Sequence, residues 1–226
     1  SNSVVADKEQ EKKIEDELTK EAEKTALSAP KVSQEERRKQ SALAAGKRQP
    51  SEAETRYLID EQLRKVGWEA DTEKLRYSKG TRPEKGRNMA IAEWPTDSHV
   101  GNRGYADYAL FVGTELIATI EAKASHKDIP SVIDYQCKEY SQNIREKDSQ
   151  YQIGTWGKYK VPFTFATNGK PYLEQYKTKS GIWFLDLRQS YNAPRALQGW
   201  MSPDGIKELL ALDTESKNEN LKQMSF

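Results

Sequence analysis

Residues Gly104–Lys123 read GYADYALFVGTELIATIEAK, and they give the clearest indication of the fold because they hold two apolar runs around a short turn. The runs extend from Tyr105 to Val112 and from Leu116 to Ala122, and Gly113-Thr114-Glu115 separates them. Runs of this length, rich in β-branched and aromatic residues and joined by a glycine-containing loop, predict a β-hairpin.

Charged residues interrupt these apolar strands: Asp107 on the first, and Glu121 and Lys123 at the end of the second. Because strand side chains alternate between faces, Glu121 and Lys123 project from the same face. A two-residue turn would pair Asp107 with Ile120 on the other face, whereas a three-residue loop pairs Asp107 with Glu121. We therefore expect an odd-length loop or a bulge, with two carboxylates and a lysine converging at the strand ends.

Paired carboxylates suggest a metal-dependent chemistry. They are hard oxygen ligands, which favour Mg²⁺ or Mn²⁺. Such a cation lowers the pKa of water and neutralises charge on a phosphate, and a nearby lysine can orient the attacking water. The pattern thus indicates phosphodiester hydrolysis by Asp107, Glu121 and Lys123. Taken alone, the spacing also fits a surface hairpin crossed by salt bridges.

The segment SEAETRYLIDEQLRKVGW, residues Ser51–Trp68, predicts a helix that begins the body of the protein. Its serine is a good N-cap, and Glu54 occupies the capping-box position. At 100° per residue, its apolar residues form one stripe, which also contains Glu52 and Arg56. A carboxylate on that stripe is costly unless a cation or donors lie nearby. We therefore expect Glu52, rather than Glu54 or Glu61, to point towards the hairpin acids.

The remaining elements complete a mixed α/β (α+β) order. We expect a strand before the hairpin, a helix after it, two further strands and a last helix. The strand before the hairpin is expected at residues 89–94 and the helix after it at 131–147. The two further strands are expected at 161–166 and 181–187, and the last helix at 202–212. The helix over 131–147 rests on Ile133, Cys137, Tyr140 and Ile144 at helical spacing.

Composition divides the chain into a body and its flanks. The 226 residues are 35% hydrophobic and 31% charged, against about 45–50% and about 25% in ordinary domains. No aromatic residue precedes Tyr57. We expect residues 1–50 to form a charged helical or partly disordered extension, 51–212 to form the folded domain, and 213–226 to be a polar tail.

Several classes of protein are excluded by what these residues lack. No run approaches the 18 apolar residues of a membrane span, and no signal peptide is visible. The lone Cys137 allows no internal disulfide framework and no cysteine-rich zinc site, and His99 and His126 are too isolated for a histidine-metal nuclease. A cytoplasmic protein is expected. No Gly-x-x-x-x-Gly-Lys-Ser/Thr loop is present, so these residues are not an ATP-driven motor.

A resemblance to a known family covers almost everything from Ser51 to about Leu212. The chain closely resembles the N-terminal nuclease region of type I restriction enzyme R subunits, a PD-(D/E)xK nuclease that precedes a helicase-type DNA-translocating motor. The matching blocks occur in the family's order: SEAETRYLIDEQLRKVGW, AIAEWPT, GYADYALFVGTELIATIEAK, QCKEY, FTFATNGKPYL, SGIWFLDLR and GWMSPDGIKELL. The resemblance implies a restriction-endonuclease-like core, with a central mixed sheet flanked by helices.

The resemblance also implies roles for individual residues. Asp107 and Glu121 would be the acids that bind Mg²⁺, for which Mn²⁺ can substitute, and Lys123 would be the motif lysine. Glu52 would be the acid on the first helix. The family's usual Pro-Asp is here Ala106-Asp107, a departure that leaves the acid itself in place.

Residues that could support DNA lie around these acids. Gln136 and Tyr140 match the family's Gln-x-x-x-Tyr motif, in which the amide can bond a phosphate and the ring can support DNA. Tyr140 also fits the apolar stripe of its helix, so a core role is the alternative. Arg103 and Lys127 could contact phosphates, and an ordinary solvated charge is the alternative for each.

The expected function is that of a metal-dependent endonuclease domain acting on double-stranded DNA. The resemblance implies that the partners are a modification (methyltransferase) subunit and a specificity subunit. It also implies that ATP is used only by a motor outside these residues. We expect the sequence to be a fragment of a longer protein. Two alternatives remain open. One is another nuclease on the same core, such as a junction resolvase or repair nuclease, and the other is a catalytically silent DNA-binding or assembly module.

Overall fold

The structure, a computed structural model, describes three stretches of the chain: residues 51–98, 104–124 and 129–212. The expected extension over 1–50 and the expected tail over 213–226 lie outside the described residues. The chain divides into two units, Ser1–Arg48 and Gln49–Phe226, and the elements described below belong to the second.

The described stretches contain one mixed sheet of seven strands. In chain order the strands are β1 (Glu69–Ala70), β2 (Asn88–Pro95), β3 (Tyr105–Val112), β4 (Glu115–Ala122), β5 (Phe163–Thr167), β6 (Ile182–Asp186) and β7 (Arg195–Ala196). Their order in the sheet follows the chain. β1 and β2 are parallel, as are β4 and β5, and the other neighbours are antiparallel. The expected mixed α/β class and the expected strands are confirmed.

Helices precede, interrupt and follow the strands. They are α1 (Glu52–Lys65), α2 (Ile129–Val132), a π-helical turn (Ile133–Cys137), α3 (Lys138–Gln142) and α4 (Pro203–Ala211), with 3₁₀ turns at Tyr77–Lys79, Glu146–Tyr151 and Lys177–Lys179. The predicted capping box between Ser51 and Glu54 opens α1, and Ser202 caps α4 with proline at its first position. None of the helices in the described stretches is long and apolar enough to span a membrane.

The helix predicted over 131–147 is wrong at its C-terminal end. It stops at Gln142, after the π-helical turn, and Ile144 instead forms a β-bridge with Thr96. Ile144 is still buried, in the apolar cluster around Trp94. The apolar spacing therefore marked a buried residue correctly, but extended backbone rather than helix carries it inward.

The sheet is covered on both faces. On β2 and β3, side chains such as Ala90 and Leu110 pack towards α1 and α4, in one cluster with Ile59 and Ile206. Alternate residues on the same strands belong to a second cluster that includes Trp94. A third cluster lies against α2 and the π-helical turn and contains the buried Cys137. The two-sided burial explains why the central strands are nearly continuous apolar runs.

Candidate active site

The hairpin turn is shorter than a three-residue loop. Val112 pairs directly with Glu115, so the turn contains only Gly113-Thr114, with the glycine at a φ of 60°. A bulge between Leu110 and Phe111 then shifts the register by one residue on β4. The prediction of an odd-length loop or a bulge is therefore confirmed by the bulge, and the three-residue loop does not occur.

The bulge restores the register that brings the two acids together. Beyond it, Tyr108 pairs with Ile120, and one further step along the strands places Asp107 opposite Glu121. Directly opposed residues of antiparallel strands share a face, with Cβ atoms roughly 5 Å apart. Without the extra residue, the Asp107 side chain would lie on the opposite face from Glu121.

Asp107 is buried and tightly held, with 4% of its surface exposed. Its Oδ2 accepts a hydrogen bond of 2.7 Å from the backbone N–H of Ala122, so the side chain continues the ladder where the strand pairing ends. Its Oδ1 accepts from Nη2 of Arg56 on α1. Both oxygens of this carboxylate are thus already engaged in the protein.

Glu121 is equally buried but only half satisfied. Its Oε1 lies 2.7 Å from Nζ of Lys123, while its buried Oε2 has no hydrogen-bond partner within the described stretches. Burial raises the pKa of the Glu121 carboxyl; the charges of Lys123 and Arg56 oppose this increase, and that of Glu52 adds to it. The backbone N–H of Lys123 donates to the Thr167 carbonyl, which fixes this end of β4 against β5. A buried carboxylate oxygen without a donor is suited to a cation.

Arg56 and Glu93 belong to the same cluster and were not singled out as site residues from sequence. Arg56 is 6% exposed, and its Nη1 lies 3.1 Å from Oε1 of Glu93. The same Glu93 oxygen is 3.1 Å from Nη2 of Arg76. Glu93 interrupts an apolar strand, and Arg56 lies on the apolar stripe of α1. Charge in apolar surroundings was therefore the sequence signal that could have identified them.

Glu93 has an unusual backbone. It is the only non-glycine residue with a positive φ, 55°, in the described stretches, and it lies within β2. Its neighbours Ala92 and Trp94 pair with Tyr108 and Ala106, so Glu93 lies across from Asp107. A left-handed residue costs about 1–2 kcal/mol and persists only where its surroundings fix it. Here the two arginine contacts hold its side chain.

A hydrogen-bond network fixes α1 beside the acids. The Tyr108 hydroxyl lies 2.8 Å from Oδ1 of Asp60 and 2.9 Å from the Thr72 hydroxyl, and Asp60 also accepts from the Thr72 backbone N–H. Burial and the Asp60 charge raise the pKa of Tyr108, which stays protonated and able to donate. Since Asp60 is one turn after Arg56, the network sets the position of the guanidinium at Asp107.

Glu52 lies at an open cleft rather than in the interior. It is exposed, and together with Arg56, Tyr57 and Arg76 it lines a cleft of about 850 Å³. Burial is the main cause of the raised pKa of the Glu121 carboxyl, and the negative charge of Glu52 adds to it. Glu54 instead caps α1. That Glu52, rather than Glu54 or Glu61, points towards the hairpin acids stays a prediction, and the buried charge on this stripe of α1 is Arg56.

The predicted DNA-supporting residues are placed differently from one another. Gln136 is half-buried within the π-helical turn, whereas Tyr140 is 4% exposed and packs inside the domain. The π-turn shifts the helix face between them, and such turns are frequent at functional sites. Arg103 and Lys127 lie outside the described residues.

A cation would depend on few protein ligands here. Within residues 51–98, 104–124 and 129–212, no three His, Cys, Asp or Glu side chains are grouped to hold a metal ion. Asp107 and Glu121 form a pair, and magnesium commonly uses only one or two carboxylates and keeps waters. The oxygen of Glu121 that lacks a donor fits such a cation, so the residues present suit magnesium chemistry.

Comparisons with known proteins agree on one family. The family model for the second domain of the type I restriction enzyme EcoKI endonuclease subunit matches residues 69–210. The type I restriction enzyme EcoKI endonuclease subunit of Escherichia coli (strain K12) is 42% identical over 193 residues, which cover 75% of this chain and 16% of that protein. No solved structure matches. The chain belongs to the family of type I restriction enzyme endonuclease subunits.

Proposed function

We propose that this chain is a Mg²⁺-dependent endonuclease domain with a PD-(D/E)xK core, which hydrolyses phosphodiester bonds of double-stranded DNA. One observation carries the proposal: the bulge in β4 gives the register that, continued one residue beyond the Tyr108–Ile120 pair, places Asp107 on the same face as Glu121, whose buried Oε2 has no hydrogen-bond partner within the described stretches. Its membership of a family of restriction endonuclease subunits supports the same chemistry.

The two acids would hold the cation, and Mn²⁺ could substitute for Mg²⁺. When bound, the cation supplies Lewis-acid polarisation of the phosphate and charge neutralisation. Lys123 keeps one Glu121 oxygen occupied and retains 26% of its side-chain surface in solvent. Its ammonium can therefore donate to a phosphate oxygen or to the attacking water while it holds Glu121 in place.

The cleft beside α1 adjoins the acids through Arg56. Glu52 and Arg56 line it, and Arg56 also reaches Asp107. We propose that DNA approaches along this side, with Gln136 contacting the backbone and Arg103 and Lys127 as further phosphate contacts. The buried Tyr140 would support the helix rather than touch DNA. Modification and specificity subunits would supply sequence recognition, and a motor outside this chain would use the ATP.

Cleavage by the complete restriction complex carrying Asp107→Asn tests the proposal. Loss of cleavage with assembly intact is expected, whereas Asp134→Asn, which alters an exposed acid paired with Lys138, should leave cleavage unchanged. Calorimetric titration of the 226-residue chain with Mn²⁺ should show binding that Asp107→Asn removes. Full cleavage by Asp107→Asn would overturn the assignment. Absence of both metal binding and cleavage in the unaltered protein would favour a silent DNA-binding module, and preference for branched DNA would favour a junction nuclease.

A further inference from the structure

The cluster around Asp107 is electrically crowded before any metal enters. Ion pairs within the described stretches join as many carboxylates as cations. The carboxylates are those of Asp107, Glu121 and Glu93, and the cations are those of Arg56, Lys123 and Arg76. A divalent cation beside Asp107 would add two positive charges. The guanidinium of Arg56 contacts that same carboxylate, so the two cations would repel one another at short range.

Arg56 bridges two acids. One terminal nitrogen contacts Asp107 and the other contacts Glu93, which lies on the neighbouring strand. The buried Nε has no hydrogen-bond partner in the described part of the chain. The guanidinium is thus held at its two terminal nitrogens, and within the described residues its Nε makes no hydrogen bond that a rotation of the group would have to break. Its helix, by contrast, is fixed by the Asp60–Tyr108 network.

Glu93 is placed to receive that charge. Its strand position faces Asp107, its backbone is held at a φ of 55°, and its side chain is 20% exposed. An unfavourable backbone kept within a strand indicates that the position of this carboxylate matters. Arg76 binds the same Glu93 oxygen from the cleft side, so the acid stays in place when Arg56 moves.

We propose that Arg56 is an exchangeable counter-ion for the active-site metal: it neutralises Asp107 in the metal-free protein and withdraws onto Glu93 when a divalent cation binds. The inference rests on the proposed function, since it assumes that Asp107 binds the cation. Arg56 and Glu93 are thus positioning residues. They keep a buried carboxylate compensated without metal and make it available with metal.

The exchange gives opposite expectations for the two partners. Arg56→Gln removes the competing cation and should tighten Mn²⁺ binding, whereas Glu93→Gln leaves Arg56 with Asp107 alone and should weaken it. The affinity for Mn²⁺ should change by roughly 5- to 150-fold in each variant, the usual range for coupled binding events. Calorimetric titration of the 226-residue chain with Mn²⁺ gives this readout without DNA cleavage. Arg87→Gln is the matched control, because Arg87 also bridges two acids, Glu69 and Glu84, at the surface.

The double variant separates exchange from simple attraction between Glu93 and the metal. If Glu93 acts through Arg56, adding Glu93→Gln to Arg56→Gln should change the affinity for Mn²⁺ little. An undiminished effect would show that Glu93 attracts the cation directly and would overturn the exchange. If Arg56→Gln does not fold, Glu93→Gln alone can still overturn the proposal, since unchanged or tighter Mn²⁺ binding contradicts it.

Failure of the proposed function gives a different result. If the unaltered chain binds no Mn²⁺, the metal site itself is wrong, and the exchange fails with it. If the unaltered chain binds Mn²⁺ but Arg56→Gln binds it equally or less tightly, only the exchange is overturned. A change in Mn²⁺ affinity for Arg87→Gln would attribute the effects to net charge and would also overturn the exchange.

Discussion

Strand β4 carries a glutamate–lysine pair at each end, and the two pairs have nearly the same geometry. At its start, Glu115 lies 2.6 Å from Nζ of Lys207, and at its end, Glu121 lies 2.7 Å from Nζ of Lys123. The first pair is open to water, with side chains 46% and 40% exposed. In the second pair the Glu121 side chain is 6% exposed and that of Lys123 is 26% exposed.

The difference shows that ion-pair distance is a poor indicator of a functional site. The exposed pair at Glu115 is screened by water and contributes little to stability. At Glu121, burial makes the same charge costly, and the neighbouring Asp107 and Arg56 make it part of a network. The network, rather than the pair, distinguishes the two ends of the strand. The predictions on cleavage, stability and pH below compare matched substitutions at the two ends.

The largest expected difference is in DNA cleavage. In the complete restriction complex, Glu121→Gln should lower the cleavage rate by more than about 100-fold, because loss of an outer-shell partner of a metal alone can cost that much and Glu121 is a proposed direct ligand. Glu115→Gln should cleave normally, because its pair lies in solvent at the far end of the strand. A nuclease assay on linear duplex DNA measures both. Similar losses in the two variants would remove the distinction between the two pairs.

Removal of each lysine should lower the free energy of unfolding by a different amount at the two ends of β4. Lys123→Met leaves the Glu121 carboxylate buried without its cation and should cost about 1–3 kcal/mol, as for a buried group left unsatisfied. Lys207→Met should cost at most about 1 kcal/mol, the range for an exposed pair. Denaturant unfolding at pH 8 without divalent cations gives both values. An equal loss for both variants would mean that Glu121 is more hydrated than its burial indicates.

The pH dependence should distinguish the glutamates. Because burial raises the pKa of Glu121 in the folded chain, the native state holds this proton more tightly than the unfolded chain does. Stability should therefore fall, relative to Glu121→Gln, as the pH rises above about 4.5. A pKa difference of one corresponds to about 1.4 kcal/mol. Melting curves of both proteins from pH 4 to 8 without metal test this, with Glu115→Gln as control.

The smallest expected effect concerns Cys137, a buried thiol near the Glu121 end of β4. Burial first, and then the Glu121 charge, raise the pKa of this thiol well above its usual range. It should resist maleimide in the native protein, and in Glu121→Gln too, since burial dominates. As the chain has one cysteine, mass spectrometry reads the result directly. Rapid labelling at neutral pH would show that this end is open to water.

Much of the architecture could be predicted from sequence, because it depends on local patterns. The Ser51 capping box, the apolar runs of β3 and β4 and the proline that opens α4 each specify their element within a few residues. The helix end near Gln142 could not be located, because Ile144 is buried by a bridge to Thr96, a residue distant in sequence.

The candidate site was predictable in part. Asp107, Glu121 and Lys123 stood out as charges in apolar strands, and strand alternation placed the last two on one face. Whether Asp107 joins them depended on the hairpin register, for which the sequence allowed a longer loop or a bulge. The structure has the bulge, which no short pattern in β4 specifies.

Local sequence patterns were thus enough to infer which residues carry charge into the sheet and which elements hold them. How those charges are compensated depends on tertiary contacts. Arg56 comes from α1 and Glu93 from β2, and Arg56 bridges Glu93 and Asp107 only when the helix docks on the sheet. Helix and strand propensities act over a few neighbouring residues, whereas the free energy of a buried charge depends on every group that folding brings beside it.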